Sequence, residues 1–423
     1  MDSPHQDIAI IGLGYVGLPL AVHISSIGYR VLGIDKDVSK IDSIKKGISY
    51  IPDVSSNELA SQLEKKMMIA VVPTEQVAEV DTVIVTVPTP VTKDEKKPDL
   101  SALISATQFI SKYLRSGQTV IYESSTYPGT LEEVILPILS SSGLQVGIDY
   151  HLGYSPERID PGNTAFHLSQ IPKVVSGQTP ACLEKVIGLY SKVFETIVPV
   201  SSPKVAEMCK IFENIQRLVN ISLVNEINTI CSAMNVNFRE ALAAASTKPF
   251  GFTPFYPGPG IGGHCIPVDP LYFQWKAKDF NLSSALIEEA LSINARMPKE
   301  IVKQIEEMLP KKNEKHNSTI LLIGLTYKRD VNDVRESPAI EVFELLLQEG
   351  YNVLFHDPLI PEWTITNQKR VSQSLTRELL QQVDIVVILT DHTRVDWKIV
   401  LDNAKHLIDT RGVYADWQES DTI

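Results

Sequence analysis

The chain has 423 residues, 43% of them hydrophobic and 21% charged, with a formal net charge of −12 at pH 7. At about 150 residues per domain that length predicts two or three domains of globular composition. The acidic balance excludes nucleic acid as the main partner, since no basic face is available to displace phosphate counterions, and no run approaches the ~18 apolar residues of a membrane span.

Six residues precede the first apolar run. That is too few for a signal peptide, so a cytoplasmic location is expected. Asp7 to Ile11 predicts a buried strand, Gly12-Leu13-Gly14-Tyr15-Val16-Gly17 a turn, and the stretch to about Ile27 a helix capped by Gly28. Tyr29 to Ile34 predicts a second strand, ending in Asp35. In that order each glycine serves a separate purpose. Gly12 makes the tight turn, Gly14 lets backbone amides approach a pyrophosphate, and Gly17 lets helix and strand pack closely. Asp35 suits the adenosine ribose hydroxyls and repels a 2′-phosphate, which favours NAD over NADP; Lys36 and Lys40 stand nearby. Strands at Met68 to Val72, Asp81 to Val87, Thr119 to Glu123 and His151 to Tyr154 alternate with helices, predicting a doubly wound parallel sheet. Ligands bind at the carboxyl ends of such strands, which groups Pro88-Thr89-Pro90, Ser124-Ser125-Thr126 and Ser155-Pro156-Glu157-Arg158 around one mouth.

A long helix is predicted from about Pro203 to Met234, with Glu207, Lys210 and Asn214 on one face. Such a polar stripe is ordinarily solvated, and Val205, Phe212, Leu218, Val219, Leu223 and Ile227 are expected to be buried. The helix could also carry a subunit interface. Phe238 to Ser246 predicts a helix that leads into Phe250 to Pro270, whose glycines and prolines forbid a long helix or central strand. In this ordered loop Gly262 and Gly263 are expected to clear room beside Cys265, with Asp269 four residues on. Cys182, Cys209, Cys231 and Cys265 are too dispersed for a metal centre or disulfide framework. Another helix is expected from about Ser284 to Met308.

Pro310 to Asn317 is polar and Lys-rich and reads as a linker. Thr319 to Ile323 begins a second α/β unit with Gly324-Leu325-Thr326-Tyr327-Lys328-Arg329-Asp330, where Thr326 stands in place of a second glycine. The turn remains but close pyrophosphate approach does not, so a ligand other than a second dinucleotide is expected. A helix at Ala339 to Glu349 and strands at Asn352 to His356, Asp384 to Leu389 and Lys405 to Ile408 complete it, with Arg411 at the last strand's carboxyl end. The fold class is α/β, two Rossmann-like doubly wound domains joined by a long central helix, with boundaries at 1–200, 201–309 and 318–423.

Taken together, Gly-Leu-Gly-Tyr-Val-Gly at 12–17, Ser-Thr at 125–126, Ser-Pro-Glu-Arg at 155–158, Ala-Glu at 206–207 with Lys210 and Asn214, Gly-Gly-His-Cys at 262–265, and Tyr-Lys-Arg-Asp at 327–330 with Arg335-Glu-Ser resemble the nucleotide-sugar 6-dehydrogenase family along essentially the whole chain. The stretch from Ser246 to Gly260 is most similar to the branch acting on UDP-N-acetylglucosamine. The resemblance implies oxidation of the sugar C6 alcohol through an aldehyde and a Cys265 thioester, with NAD as acceptor twice and a UDP-sugar as substrate. It implies Cys265, Lys210, Asp269, Glu157, Asn214 and Thr126 as catalytic residues. Cofactor contacts would come from Gly12, Gly14, Tyr15, Val16, Gly17, Asp35, Lys40, Thr89, Thr126 and Arg335. Substrate contacts would come from Glu157, Arg158, Lys210, Asn214, Tyr256, Gly260, Lys328 and Arg411. A homodimer through the central helix is expected, and no metal. Lys248-Pro249-Phe250 stands where relatives acting on UDP-glucose place an arginine that reaches the neighbouring subunit's substrate. UDP-N-acetylmannosamine and UDP-glucose are the alternative substrates. Two other classes compete: a non-catalytic NAD-binding or sugar-nucleotide-binding protein, and a β-hydroxyacid dehydrogenase, which needs no nucleophilic cysteine.

Overall fold

The computed structural model describes residues 7–92, 97–160, 166–263, 265–309 and 318–414. The expected linker at 310–317, the six residues before Asp7 and His264 lie outside the described residues. The chain forms two compact units, one of residues up to Asn214 plus Val268–Ser283, the other of Ile215–Pro267 plus residues from Ser284 onward.

The first unit is an eight-stranded sheet of β1 (Ile8–Ile11), β2 (Val31–Ile34), β3 (Met68–Val71), β4 (Thr82–Val85), β5 (Thr119–Tyr122), β6 (His151–Tyr154), β7 (Lys173–Gly177) and β8 (Ile197–Pro199). Their spatial order is β3-β2-β1-β4-β5-β6-β7-β8. Helices α1 (Gly17–Ser26), α2 (Val38–Lys45), α3 (Ser56–Glu64), α4 (Ser101–Tyr113), α5 (Leu136–Ser140) and α6 (Pro180–Tyr190) connect them. The central strands are uninterrupted apolar runs because both faces are covered. Ile8 and Ile10 pack into one core with Leu18, Ala21 and Ile24 of α1, while Ala9 and Ile11 pack into another with Leu103 and Ile110 of α4. The order reverses between β1 and β4, which puts a crevice at the carboxyl ends of these two strands. All pairs are parallel except β6 with β7.

Helix α7 (Pro203–Ala233) is continuous from the first unit into the second, and its faces are the reverse of those expected. Glu207, Lys210 and Asn214 are buried, whereas Val205, Phe212, Leu223 and Ile227 are exposed; Leu218 alone of the expected apolar set is fully buried. The reason is that each of these polar groups gains a bonding or electrostatic role inside the first unit. Helix α8 (Phe238–Ser246) follows. The glycine loop ends earlier than its sequence suggests, because α9 (Asp269–Ala277) already begins at Asp269, and then comes α10 (Ala285–Met308), capped by the Ser284 side chain.

The second unit is built on a parallel sheet of β9 (Thr319–Ile323), β10 (Asn352–His356), β13 (Ile385–Ile388) and β14 (Leu407–Asp409) in the order β10-β9-β13-β14. An antiparallel hairpin of β11 (Glu362–Ile365) and β12 (Gln368–Val371) turns at Thr366 and Asn367, both with positive φ as a tight hairpin demands. Helices α11 (Pro338–Gln348), α12 (Arg377–Gln382) and α13 (Trp397–Asn403) complete the unit, and α10 shares a core with α11 through Ile301, Ile305, Val342 and Phe343. The fold is α/β with two Rossmann-like doubly wound sheets.

Candidate active site

At the β1–β4 crevice the three glycines meet different surroundings. Gly12 has φ +97°, and a Cβ there would lie 2.9 Å from the Thr86 carbonyl oxygen. A Cβ on Gly17 would lie 1.8 Å from the Gly12 oxygen, so α1 sits directly on the turn. A Cβ on Gly14 would meet nothing within 4 Å, which leaves that backbone open to a ligand. Val16 caps α1 without a side-chain hydrogen bond; the Leu18 N–H is taken by the Gly14 carbonyl at 3.1 Å and Pro19 has none, so the Gly17 N–H is the first-turn donor left to face an anion. Asp35 accepts N–H bonds from Leu13 (2.8 Å) and Asp37 (2.9 Å) and pairs with Lys40 at 3.4 Å. Open backbone, helix N-terminus and acid at one edge fit NAD.

The neighbouring strand ends hold a buried polar group. Thr89 donates to the Ser125 carbonyl (2.6 Å), and its own carbonyl accepts the Tyr272 hydroxyl of α9. Trp275 packs on Tyr127 with ring centroids 5.0 Å apart, and Lys276 pairs with Glu133 at 2.7 Å, so α9 is fastened to this unit. Glu207 accepts the N–H groups of Gly129 (2.6 Å) and Leu131 (3.0 Å) and the Thr126 hydroxyl at 3.5 Å. Burial pushes its carboxyl up to about 8, although the two N–H bonds pull the other way. One turn further along α7, the Lys210 ammonium is 6% exposed and makes no hydrogen bond or ion pair among the described residues. Asn214, fully buried, donates its amide to Asp269, the buried first residue of α9. Glu157 accepts the N–H groups of Arg158 (2.6 Å) and Ile159 (2.5 Å). Burial alone would raise its carboxyl, but Lys173, the Ile159 N–H and Lys210 hold it below its ordinary value. The Arg158 guanidinium is occupied by Glu213 (2.7 Å) and the Pro172 carbonyl (2.7 Å).

Thr126, Glu157, Lys210, Asn214 and Asp269 therefore all belong to the first unit. Cys265, Gly260, Tyr256, Lys328, Arg335 and Arg411 belong to the second. Cys265 is exposed. The room expected at Gly262 and Gly263 is filled by protein: a Cβ on Gly262 would lie 2.6 Å from Tyr327 and 2.7 Å from the Glu336 carbonyl, and one on Gly263 2.8 Å from the Tyr327 ring. These glycines serve the packing of the loop rather than clearance for a ligand. A Cβ on Gly260, which has φ +127°, would lie 3.1 Å from Pro338. The Arg411 guanidinium packs on Gly258 and donates to the Leu389 carbonyl at 2.8 Å; burial and the charges of Arg239 and Arg329 hold its pKa below the usual arginine value. Lys328 is half-buried, and Arg335 forks onto Asp333 (2.7–3.0 Å). Lys248 lies over the ring of Phe250, 5.3 Å from its centroid, and Phe250, Phe252 and Tyr256 are exposed.

The second unit also has an acid after its second strand, Asp357, but each of its oxygens already accepts two backbone N–H bonds, where each oxygen of Asp35 accepts one. One accepts the N–H groups of Leu325 (2.7 Å) and Thr326 (3.2 Å), the other those of Leu359 (2.8 Å) and Ile360 (3.2 Å). His392 Nδ1 accepts the Asp330 N–H, so Nε2 carries the proton and donates towards Thr326 and Asp357. Nothing remains for a ribose.

Sequence reasoning missed Glu123, Lys173 and Tyr190, which form a buried cluster with Glu157. Glu123 ends a strand run and could have been found by its place; Lys173 carries no local signal. No group of three metal-ligating side chains occurs among the described residues, and no helix there is long and apolar enough to cross a membrane.

Three family models match in order: the UDP-glucose/GDP-mannose dehydrogenase NAD binding domain over residues 6–194, the central domain over 204–296 and the UDP binding domain over 321–416. Protein CapL of Staphylococcus aureus is 37% identical over 92% of this chain and 90% of its own. The UDP-N-acetyl-D-glucosamine 6-dehydrogenase of Pseudomonas aeruginosa is 38% identical over 84% of this chain and 83% of its own. Among solved structures, the UDP-D-ManNAc dehydrogenase of Pyrococcus horikoshii superposes with a TM-score of 0.86 at 30% identity, covering 96% of this chain and 95% of that one. With an open glycine turn, a strand-end acid and these matches along its length, the chain belongs to the UDP-glucose/GDP-mannose dehydrogenase family and is an NAD-dependent UDP-sugar dehydrogenase.

Proposed function

We propose that the enzyme oxidises the C6 hydroxyl of UDP-N-acetylglucosamine to a carboxylate, giving UDP-N-acetylglucosaminuronate, with Cys265 as the nucleophile. The observation that carries the reaction is the buried Lys210 ammonium with no bonded partner among the described residues. An ammonium kept in that state is costly, and is suited to meet negative charge arising on a substrate oxygen. NAD, when bound along the Gly12–Gly17 turn, would supply the hydride acceptor, one NAD for each oxidation, the first NADH giving way to a second NAD between them. Lys210 stabilises the alkoxide as the alcohol loses its proton to the water held by Asp269 and Glu157. Cys265 adds as thiolate to the aldehyde, Lys210 again meets the oxyanion, and loss of the second hydride leaves a thioester on the sulfur. Asp269, oriented by Asn214, and Glu157 hold and activate the water whose oxygen enters the carboxylate as the thiol departs. Thr126 positions the reacting groups. The uridine diphosphate is assigned to the second unit, with Lys328, Arg411 and Tyr256 as contacts.

The exposed Phe250, Phe252 and Tyr256 support the sugar assignment, because they do not serve merely to pack their own loop and can wall the methyl of an acetamido group. The 38% identity to the Pseudomonas enzyme supports it also. The likeness to the Pyrococcus structure favours UDP-N-acetylmannosamine as the second reading. A panel of these two, UDP-N-acetylgalactosamine and UDP-glucose, with NADH formation as readout, decides. Two NADH per sugar and highest kcat/KM for UDP-N-acetylglucosamine are expected; faster turnover of UDP-glucose at matched subsaturating concentrations defeats the assignment, and one NADH per sugar defeats the thioester. The exposed Phe212, Leu223, Ile227 and Ile230 of α7 support a homodimer through that helix, tested by light scattering of the enzyme and of Phe212→Glu.

A further inference from the structure

Behind Glu157 lies a charged cluster that the reaction above does not use. Lys173 is 3% exposed, and its ammonium reaches two carboxylates, Glu123 at 2.8 Å and Glu157 at 3.5 Å. Tyr190 on α6 donates its hydroxyl to the other oxygen of Glu123. The ammonium also lies over the rings of Tyr190 and Phe194, 5.5 and 5.1 Å from their centroids. One reversal in the sheet produces this arrangement. Strand β7 is antiparallel to β6, with Gly177 opposite Gly153 and Ser176 opposite Tyr154. Continued three residues, that register sets position 173 opposite position 157, so the first residue of β7 arrives at the carboxyl edge where the site lies. A parallel strand would have left it at the far edge.

Within ion-pair distance two carboxylates face one ammonium, Lys210 acting on Glu157 only from beyond it, which leaves the bonded cluster one negative charge in excess, a state an interior tolerates poorly. The hydrogen bonds divide the two acids. Glu157 receives only donors that favour a carboxylate: two backbone N–H groups on one oxygen and Lys173 on the other. Glu123 receives Lys173 on one oxygen, but among the described residues its other oxygen meets only the Tyr190 hydroxyl, which donates to a carboxylate there and can rotate to accept from a carboxyl O–H. We propose that Lys173 is a positioning residue for the oxidation, holding Glu157 ionised and fixed in orientation while Glu123 takes up the cluster's spare proton. Burial and the charge of Glu157 push Glu123 up to about 7 against the pull of Lys173, in the direction this division requires. The charged and titratable groups facing Glu157 are Lys173 on β7, Glu123 after β5, Lys210 on α7 and Tyr190 on α6.

The inference rests on the role of Glu157 in the proposed reaction. Its test is kcat against pH, using whichever nucleotide sugar the wild-type enzyme oxidises, so an error in the sugar leaves the test intact. K173M strands the buried Glu157 carboxylate and leaves Glu123 free to ionise beside it, and can fail to fold; E123Q/K173M replaces the neutral Glu123 carboxyl by a neutral amide, so that Glu157 is the one acid left in the cluster, and is the variant to read, with NADH binding as the check on folding. Losing the cation raises the Glu157 pKa, so the acidic limb of kcat moves to higher pH by about one unit or more, and kcat at pH 6 falls at least about tenfold. K173R returns the limb to its wild-type place, and KM for NAD stays within about twofold. A wild-type limb in E123Q/K173M, with E157Q impaired, overturns the role of Lys173 alone. Undiminished kcat in E157Q overturns both that role and the reading of Glu157.

Discussion

The Asn214 amide donates to the carboxylate of Asp269, joining α7 to the first residue of α9. Both residues are buried, so the bond is charge-assisted in a dry setting. Asn214→Ala removes a donor from a buried carboxylate and is expected to cost about 1.5–3 kcal/mol of stability. Asn214→Asp sets a second carboxylate against the first and should cost more at pH 8 than at pH 5. Urea denaturation at the two pH values measures both; an alanine variant as stable as wild type would mean that the bond contributes nothing.

The glycine turn separates binding from folding. Gly14→Ala places its methyl in open space, so stability should stay within about 0.5 kcal/mol of wild type. The same methyl stands where a pyrophosphate must approach, and the Kd for NADH should rise at least about tenfold. Gly17→Ala drives a methyl into the Gly12 carbonyl and should cost about 3 kcal/mol or more. Thermal melts with and without NADH distinguish the two, and equal behaviour of both variants would refute the separate roles of these glycines.

Glu207 gives the enzyme a stability gradient with pH. Its folded pKa of about 8 lies above that of an unfolded glutamate, so the folded chain binds the extra proton between those values. Its contribution is therefore complete below the unfolded value near 4.5 and is lost as pH rises through about 8. Wild-type unfolding free energy should fall from pH 5 to pH 8, and Glu207→Gln should flatten that fall. A gradient of the same slope in the glutamine variant would exclude Glu207 as its source.

Cys265→Ala should bind NADH and UDP-sugar nearly as wild type does while forming no uronate. Cys265→Ser should accumulate an ester, because an alkoxide leaves less readily than a thiolate. Lys210→Ala should lose about 10²–10³ in kcat with little change in substrate Kd, if its charge acts on transition-state oxyanions. Mass spectrometry of the serine variant and steady-state kinetics of the other two provide the readout, and uronate formation by Cys265→Ala would remove the cysteine from the chemistry.

Local pattern sufficed for the first β-α-β unit, because Ile8–Ile11, the three glycines and Asp35 lie within one short run and each answers to steric or period rules that act over a few residues. The same holds for α7 as a helix, for β9 and β10, and for the departure at Thr326. What the tertiary structure decided is which face of α7 is buried. An apolar stripe is read as the inner face by default, yet Glu207, Lys210 and Asn214 are buried because the turn at Gly129 and Leu131, Glu157 and Asp269 supply bonds and charge from distant segments. Helix α9 escaped notice because a run rich in proline and glycine leads into it, and its fastening depends on Thr89, Tyr127 and Glu133, far away in sequence. Lys173 was equally hidden. Its neighbours Glu123 and Glu157 come from other strands, and only the antiparallel entry of β7, which no hydrophobic pattern encodes, brings its ammonium between them.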